Sequence, residues 1–258
     1  MAWDLLFGFA GEVNFGPTFL IGTGAYTAGI LDNLYQPPIW ICLAAGALAA
    51  VAGGVVLALP ALRVRGPYFG LTTLVAVLML QNFIVVDASL TGGEIVTVPD
   101  VISISDATNY QIALWFMAIS GAVLFALSRS PVGLILQASG QDAVQAGALG
   151  FNVTKHKLIA FIISAFFSGL AGALLIFYLG SASVGTLVDI TVGAQIVIAA
   201  VVGGRRTILG AVFLIAMSQA LRPLGDLSNF VVFAMALIVV LLFPSGFFGL
   251  LTRTTETS

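Results

Sequence analysis

Two long apolar stretches limit what this chain can fold into more than any other feature. Residues 38–59 and residues 158–179 contain no charged side chain. A membrane-crossing α-helix needs about 20 apolar residues in a row, and both stretches are long enough. Only 8% of the whole chain is charged, whereas a typical soluble domain has about 25%. The chain is therefore predicted to be an all-α polytopic membrane protein.

Further apolar stretches predict about eight transmembrane helices in a single transmembrane domain, residues 1–258. Residues 1–16 contain polar and charged side chains and do not form a clean span. We expect them to be a lead-in at the lipid surface or a re-entrant segment. Residues 191–204 are short for a full crossing and predict a short or broken helix. The other predicted spans are residues 17–31, 38–59, 67–86, 111–127, 158–179, 207–221 and 229–243.

Small side chains recur at helical spacing within three of these spans. Such faces let the backbones of neighbouring helices approach closely in a membrane, where packing drives association. We therefore expect these residues at helix–helix contacts. They are Thr18, Gly22, Ala25 and Gly29, then Cys42, Gly46, Ala50 and Gly54, then Ser164, Ala165, Ser168, Gly169, Gly172 and Ala173.

The placement of the basic residues predicts how the helices are oriented. Cytoplasmic loops of membrane proteins carry an excess of Lys and Arg. With the N-terminus in the cytoplasm, Arg222 is the one basic residue placed outside. Both termini are then cytoplasmic, with an external loop at about 87–110 and a cytoplasmic segment at about 129–157. The basic residues placed in the cytoplasm are Arg63, Arg65, Arg129, Lys155, Lys157, Arg205, Arg206 and Arg253.

The segment 129–157, RSPVGLILQASGQDAVQAGALGFNVTKHK, separates two strongly apolar spans. It opens with Arg129 and closes with Lys155 and Lys157, so both of its ends are expected in water on one side of the bilayer. Its centre, Gly140 to Gly150, is too polar and too rich in Ala and Gly to cross lipid. We expect a weakly amphipathic helix on the membrane face that docks another protein.

The sequence carries no motif for phosphate binding or hydrolysis, neither GxxxxGK[ST] nor HExxH. Its one cysteine, Cys42, excludes a disulfide within the chain and a cysteine-cluster metal site. No ionisable residue is predicted near the middle of a span, where ion-coupled carriers usually need one. Asp189 is interpreted as the cap of a helix that begins near Ile190. We therefore expect no enzymatic activity, and an energy source in a separate protein that contacts the cytoplasmic segment.

Three blocks of sequence carry a resemblance to a known family. They are GEVNFGPTFLIGTGAYTAGIL (11–31), LRVRGPYFGLTTL (62–74) with SLTGG (89–93), and ALGFNVTKHKLIAFIISAFFSGLAGAL (148–174) with VVGG (201–204). In this order and spacing they resemble the transmembrane permease subunits of branched-chain amino acid ABC importers, of the LivM type. The resemblance implies the ABC importer permease fold and a prokaryotic cytoplasmic (inner) membrane. It also implies import of amino acids, above all branched-chain ones, driven by ATP hydrolysis in a separate subunit.

The resemblance further implies four partners: ABC ATPase subunits, a LivH-like second permease subunit, an extracytoplasmic substrate-binding protein and the lipid bilayer. No nucleic acid is expected. No cofactor is expected in this chain, because the ATPase would bind ATP and Mg. In the family a coupling helix ahead of the Ala-Leu-Gly element docks on the ATPase, and here this helix corresponds to about Gly140–Gly150. The basic residues that family members usually carry directly ahead of this helix are absent from Gln137–Asp142, so docking is expected to depend on shape and backbone hydrogen bonds more than on ion pairs. The residues predicted to contact the ATPase are Gly140, Gln141, Asp142, Ala143, Ala146, Leu149 and Gly150.

Four polar side chains within or beside the predicted spans are candidates for lining a transport pathway: Tyr26, Tyr68, Asn82 and Gln195. Each is also open to a structural interpretation, as a helix–helix hydrogen bond or an interfacial anchor. Two other functions remain open besides the ABC permease. A carrier or facilitator working alone is favoured by the short segment 191–204, since such proteins use broken helices. The other is a structural membrane protein.

Overall fold

The computed structural model describes residues 2–62, 67–98, 102, 105–203, 231 and 234, and these residues are predominantly α-helical. The chain begins with a short helix, α1 (Ala2–Asp4), and a π-helical turn, Leu5–Phe9. Long helices and their short connecting elements follow. They are α2 (Pro17–Tyr35), α3 (Ile39–Ala61), α4 (Pro67–Val86), α5 (Ala88–Thr91), β1 (Ile95–Thr97), α6 (Asp106–Ser128), α7 (Pro131–Gln141), α8 (Ala143–Ala148), α9 (Val153–Leu179), β2 (Ser181–Ser183), α10 (Val184–Leu187) and α11 (Ile190–Gly203).

Within the described residues, five helical stretches are long and apolar enough to cross a membrane. They confirm a polytopic helical membrane protein. Four coincide with α3, α4, α6 and α9, and the fifth, Val184–Val201, joins α10 to most of α11. The predicted spans 207–221 and 229–243 lie outside the described residues, apart from positions 231 and 234, as do the arginines at positions 63, 65, 205, 206, 222 and 253.

The helices of the predicted spans differ from the apolar runs mainly in where they begin and end. Helix α4 has the predicted bounds, whereas α6 begins at Asp106 instead of 111 and α9 at Val153 instead of 158. The apolar run marks the part of a helix that lies in lipid, and a helix can continue beyond it when its end is capped. Asn152 caps α9 in this way, because its side-chain oxygen accepts a hydrogen bond from the Lys155 N–H at 3.0 Å.

Helices α2, α3 and α9 pack most extensively against one another and form the centre of the described fold. Their contacts are made by the small-residue faces. Gly46 of α3 lies against the carbonyl oxygen of Gly24 in α2, and Gly169 of α9 contacts both α2 and α3. The stripe Cys42, Gly46, Ala50 and Gly54 is buried, so its predicted packing role is confirmed.

A small sheet, which the all-α prediction did not include, closes one end of this bundle. Strands β1 and β2 pair antiparallel, with Val96 opposite Ala182. This sheet joins the segment 87–110 to the end of α9, whose 27 residues extend for about 40 Å. Segment 129–157 ends in the first turns of α9, so the two segments that were expected on opposite sides of the membrane lie at opposite ends of one long helix.

The first residues of the chain are buried, contrary to a lead-in at the lipid surface. Leu5 and Leu6 of the π-helical turn belong to a buried cluster with residues of α7 and the first half of α9. Trp3 is buried as well. The Trp3 indole N–H donates to the Asn14 carbonyl oxygen at 2.5 Å. The N-terminal residues therefore lie at the same end of the molecule as segment 129–157.

Candidate functional site

Segment 129–157 forms two helices that meet at Asp142. Ser130 caps α7 and Pro131 takes its first position, where a missing N–H costs nothing. Asp142 has an extended backbone, and its side chain accepts hydrogen bonds from Val144 N–H at 2.9 Å and Gln145 N–H at 3.0 Å. Asp142 therefore ends α7 and begins α8, and the predicted single helix is two short helices with a bend between them.

Helix α8 presents large apolar side chains away from the protein. Val144 is 74% exposed and Leu149 is 76% exposed, while Ala146 faces inward and is buried. Gly147 and Gly150 have open space where a Cβ would be. Apolar and small residues together on one protruding element make a surface that a partner can approach closely.

Gly140, which is predicted to contact a partner, is exposed and also packs on one side against the N-terminal residues of this chain. Its α-carbon faces the backbone of Phe9 and Ala10. Gly11, opposite, has a φ of +71°, and a Cβ built there would lie 3.0 Å from the Gly140 carbonyl oxygen. Gln141 and Ala143, on either side of the bend at Asp142, are exposed.

An ion pair that sequence reasoning did not find lies beside this contact. Lys157 Nζ, in the first turns of α9, is 2.6 Å from Glu12 Oε1, and both side chains are largely buried. Two charges separated by 145 positions carry no spacing pattern. Glu12 and Lys157 each lie in a block of the family resemblance, and that resemblance was the available signal that these residues matter.

Next to Glu12, the first and second blocks of the resemblance contact each other. The Phe15 N–H donates to Thr73 Oγ1 at 3.0 Å, and the Gly16 N–H donates to Asn14 Oδ1 at 2.8 Å. Gly70 of α4 lies against the Phe15 ring, with no room for a side chain between them. The GEVNFG turn is thereby held on the first turns of α4.

Tyr26 lies at the other end of the molecule and holds the segment 87–110. Its ring is buried, and its hydroxyl donates to the Glu94 carbonyl oxygen at 2.9 Å. The Val184 N–H donates to the same oxygen at 3.1 Å. The Tyr26 hydroxyl therefore makes a hydrogen bond that supports the fold, which fits the structural interpretation left open for this residue.

Tyr68 lines a groove of about 760 Å³ between α2, α3 and α4. The ring is 66% exposed, and its neighbours in the groove are almost all apolar, including Phe19, Val56, Leu71 and Met79. Asn82 lies 14 residues further along α4, about 21 Å along the helix axis. Its side-chain amide donates to the Leu78 carbonyl oxygen in its own helix. The structure therefore does not bring these two candidates together.

The described part of segment 191–204 lies in one short helix, α11, as predicted, and a break at Val188 and Asp189 separates α11 from α10. Gln81 Nε2 of α4 donates to the Val188 carbonyl oxygen at the break, at 3.0 Å. Asp189 accepts from the Thr191 N–H at 2.5 Å, which confirms its interpretation as a helix cap. Gln195 is partly buried in the second turn of α11. Broken helices need such partners for their backbone groups at membrane depth.

Asp32 is a further acidic residue, and it lies just beyond the predicted span 17–31. Helix α2 continues to Tyr35, so Asp32 lies within it, and its side chain is fully buried. Helix α2 ends where Gln36 adopts a left-handed conformation (φ 46°) and donates its N–H to the Asp32 carbonyl oxygen. The signal for this extension was weak, because Asp32 and Asn33 interrupt the apolar run.

Comparisons with known proteins agree with the blocks seen in the sequence. The family model described as branched-chain amino acid transport system / permease component matches residues 1–242. The permease protein LivM of Salmonella typhimurium is 27% identical and that of Escherichia coli 26%, each over 94% of this chain and 65% of the relative. The permease protein LivH of Salmonella typhimurium is 24% identical over 96% of this chain and 89% of its own length.

The chain thus spans about two thirds of the length of the LivM relatives. No solved structure matches it significantly. The family match extends over nearly the whole chain, including the N-terminal residues, segment 129–157 and the broken helix. The chain belongs to the family of permease components of branched-chain amino acid transport systems.

Proposed function

We propose that this chain is a transmembrane permease subunit of an ABC importer, and that it carries amino acids, branched-chain ones above all, across a prokaryotic cytoplasmic membrane. The relatives are named as parts of a high-affinity branched-chain amino acid transport system. ATP and Mg bind to separate ATPase subunits, which dock on segment 129–157. A LivH-like second permease subunit completes the pathway, and an extracytoplasmic binding protein delivers the solute.

The observation that carries this proposal is the exposed apolar surface of α8. Val144 and Leu149 project from an element that lies between two membrane spans and does not itself cross the bilayer. Basic residues Arg129 and Lys155 flank it, which favours the cytoplasmic side. Large apolar side chains exposed to water on such an element are typical of a protein–protein contact.

The opposite end of the molecule fits the external side. The segment 87–110 contains four acidic residues and no Lys or Arg: Asp87, Glu94, Asp100 and Asp106. The sheet of β1 and β2 and the Tyr26 hydroxyl hold its described part in place. Both termini are cytoplasmic in this orientation, and the N-terminal residues, which pack beside α7, agree with it.

The pathway is proposed to run between this chain and the second permease, along the groove that Tyr68 lines. This groove is open on the side where α4 exposes Leu71, Val75 and Met79. An apolar surface of this kind suits the side chain of a branched-chain amino acid. Asn82, exposed further along the same helix, and Gln195 on α11 are the polar groups proposed for the remaining length.

The docking assignment is tested by single substitutions on α8. Leu149→Asp and Val144→Asp put a charge on the exposed surface without removing an internal contact, and each is expected to lower co-purification of the ATPase at least tenfold. Leu90→Asp is the matched control, since Leu90 is equally exposed at the opposite end of the molecule. Unchanged ATPase binding by both α8 variants would contradict the assignment.

Transport is tested in vesicles with radiolabelled leucine as the probe. Uptake is expected to require the ATPase subunits, the second permease, the binding protein and ATP together. Uptake by this chain alone, without nucleotide, would instead support a carrier or facilitator.

A further inference from the structure

The Glu12–Lys157 ion pair connects the N-terminal part of the chain to the start of α9. Lys157 Nζ lies 2.6 Å from Glu12 Oε1, and the side chains are 13% and 14% exposed respectively. Water screens an exposed pair strongly, so that it contributes little. A largely buried pair loses most of its hydration, so each charge depends on its partner for compensation. The pair therefore strongly favours one placement of the start of α9 relative to the N-terminal segment, residues 9–16.

A second contact holds the N-terminal segment to α7, one residue away from Glu12. The backbones of Gly11 and Gly140 touch: a Cβ at Gly140 would clash with the Phe9 carbonyl oxygen, and a Cβ at Gly11 would be tight against the Gly140 carbonyl oxygen. Helix α7 and the start of α9 flank α8, the surface proposed to receive the ATPase. Both flanks of α8 are thus attached to the N-terminal segment.

At its other end the N-terminal segment is attached to α4. The Phe15 N–H donates to Thr73 Oγ1, and the Phe15 ring fills the space beside Gly70. Helix α4 lines the groove proposed as the pathway. Packed side chains and hydrogen bonds that run without interruption between two sites can carry a displacement from one to the other.

We propose that Glu12 and Lys157 are positioning residues for transport: their ion pair makes the N-terminal segment follow segment 129–157, so that movement imposed on α8 by the ATPase reaches α4. This inference rests on the proposed function. It assigns the N-terminal segment the role of a mechanical connection and gives the ion pair a role beyond stability. Lys155, two residues before Lys157, is exposed and has no such role.

The test measures leucine uptake and ATP hydrolysis in the same proteoliposomes, which contain the full importer. The variant Glu12→Gln/Lys157→Met removes both charges together, so that neither is left buried without its partner. ATPase binding and the hydrolysis rate are expected to stay within twofold of wild type, while leucine imported per ATP hydrolysed falls at least fivefold. The charge swap Glu12→Lys/Lys157→Glu should restore at least half of the lost ratio, and Lys155→Met should leave it unchanged.

Each result has a separate meaning. If the neutral double variant folds and keeps the wild-type ratio, or if the charge swap folds but fails to restore it, the inference is overturned. If the neutral variant does not fold, Glu12→Cys/Lys157→Cys with Cys42→Ser is joined by a short thiol cross-linker. The ratio must then rise on cross-linking, and a ratio that stays low overturns the inference. Wild-type complex without ATP-dependent uptake would instead refute the proposed function itself.

Discussion

Substitution of Gly46 by alanine tests the close packing of α2, α3 and α9. A Cβ at Gly46 would lie 2.5 Å from the Gly24 carbonyl oxygen and 3.0 Å from the Ala173 Cβ. Ordinary van der Waals contact begins at 3.4 Å, so the backbones of α2 and α3 have to separate by about 0.9 Å (3.4 − 2.5). The neighbours are the Gly24 backbone and the Ala173 Cβ, and neither belongs to a flexible side chain that could absorb this shift.

Gly53, on the same helix, offers a matched control. A Cβ there would meet the Phe19 ring at 3.4 and 3.5 Å and the Thr23 methyl carbon at 3.7 Å, all ordinary contacts. Both substitutions gain about 0.5–1 kcal/mol of helix propensity, because glycine loses more backbone entropy than alanine does on folding. Overpacking of a well-packed contact costs about 1–3 kcal/mol. Since the propensity gain cancels, Gly46→Ala should be about 1–3 kcal/mol less stable than Gly53→Ala.

The measurement is the free energy of unfolding of the detergent-solubilised protein, from SDS titration in mixed micelles. Gly53→Ala is expected to equal or exceed wild type, and Gly46→Ala to fall below Gly53→Ala by the stated amount. Equal stability of the two alanine variants would show that α2 and α3 separate freely at this point. The reasoning from close glycine contacts would then be wrong.

Two further substitutions test local contacts. Gln81→Leu leaves the buried Val188 carbonyl without its donor and should lower the unfolding free energy by about 1–3 kcal/mol. Asn82→Leu, which removes an exposed bond within α4, should change it little, and equal losses in both would contradict this role for Gln81. Asp142→Ala removes the cap of α8, worth about 1 kcal/mol, and should speed hydrogen exchange of the first α8 amides about fivefold. Asp142→Asn keeps the acceptor and should exchange as wild type does, whereas unchanged exchange in Asp142→Ala would argue against the cap.

Much of the candidate site could be predicted from local sequence signals. Asp189 before Ile190 is a helix-cap pattern, and the structure has that cap. Segment 129–157 was recognised as an element that does not cross lipid because it lacks an apolar run. The division of this segment into α7 and α8 was not predicted. The Asp142 side chain accepts a hydrogen bond from a backbone N–H and so competes with a continuous helix, and composition does not reveal such a bond.

Tertiary contacts add partners that the sequence does not indicate. Gly140 was predicted as the start of the coupling helix, and its close approach to Gly11 depends on a backbone 129 positions away (140 − 11). Tyr26 was a pathway candidate as a polar ring in a span, but its hydroxyl reaches Glu94 only because α2 ends beside β1. Periodicity shows which face of a helix is polar and does not show which neighbour that face meets.

The sequence by itself determined the class of this protein, the apolar spans that became α3, α4, α6 and α9, and the small-residue faces of its helices. Each of these depends on the local chemistry of consecutive or helically spaced side chains in lipid. Only the tertiary structure decided that Glu12 meets Lys157 and that Gln81 reaches Val188. These contacts join residues 145 and 107 positions apart, and no local pattern specifies a pairing that arises when helices pack side by side.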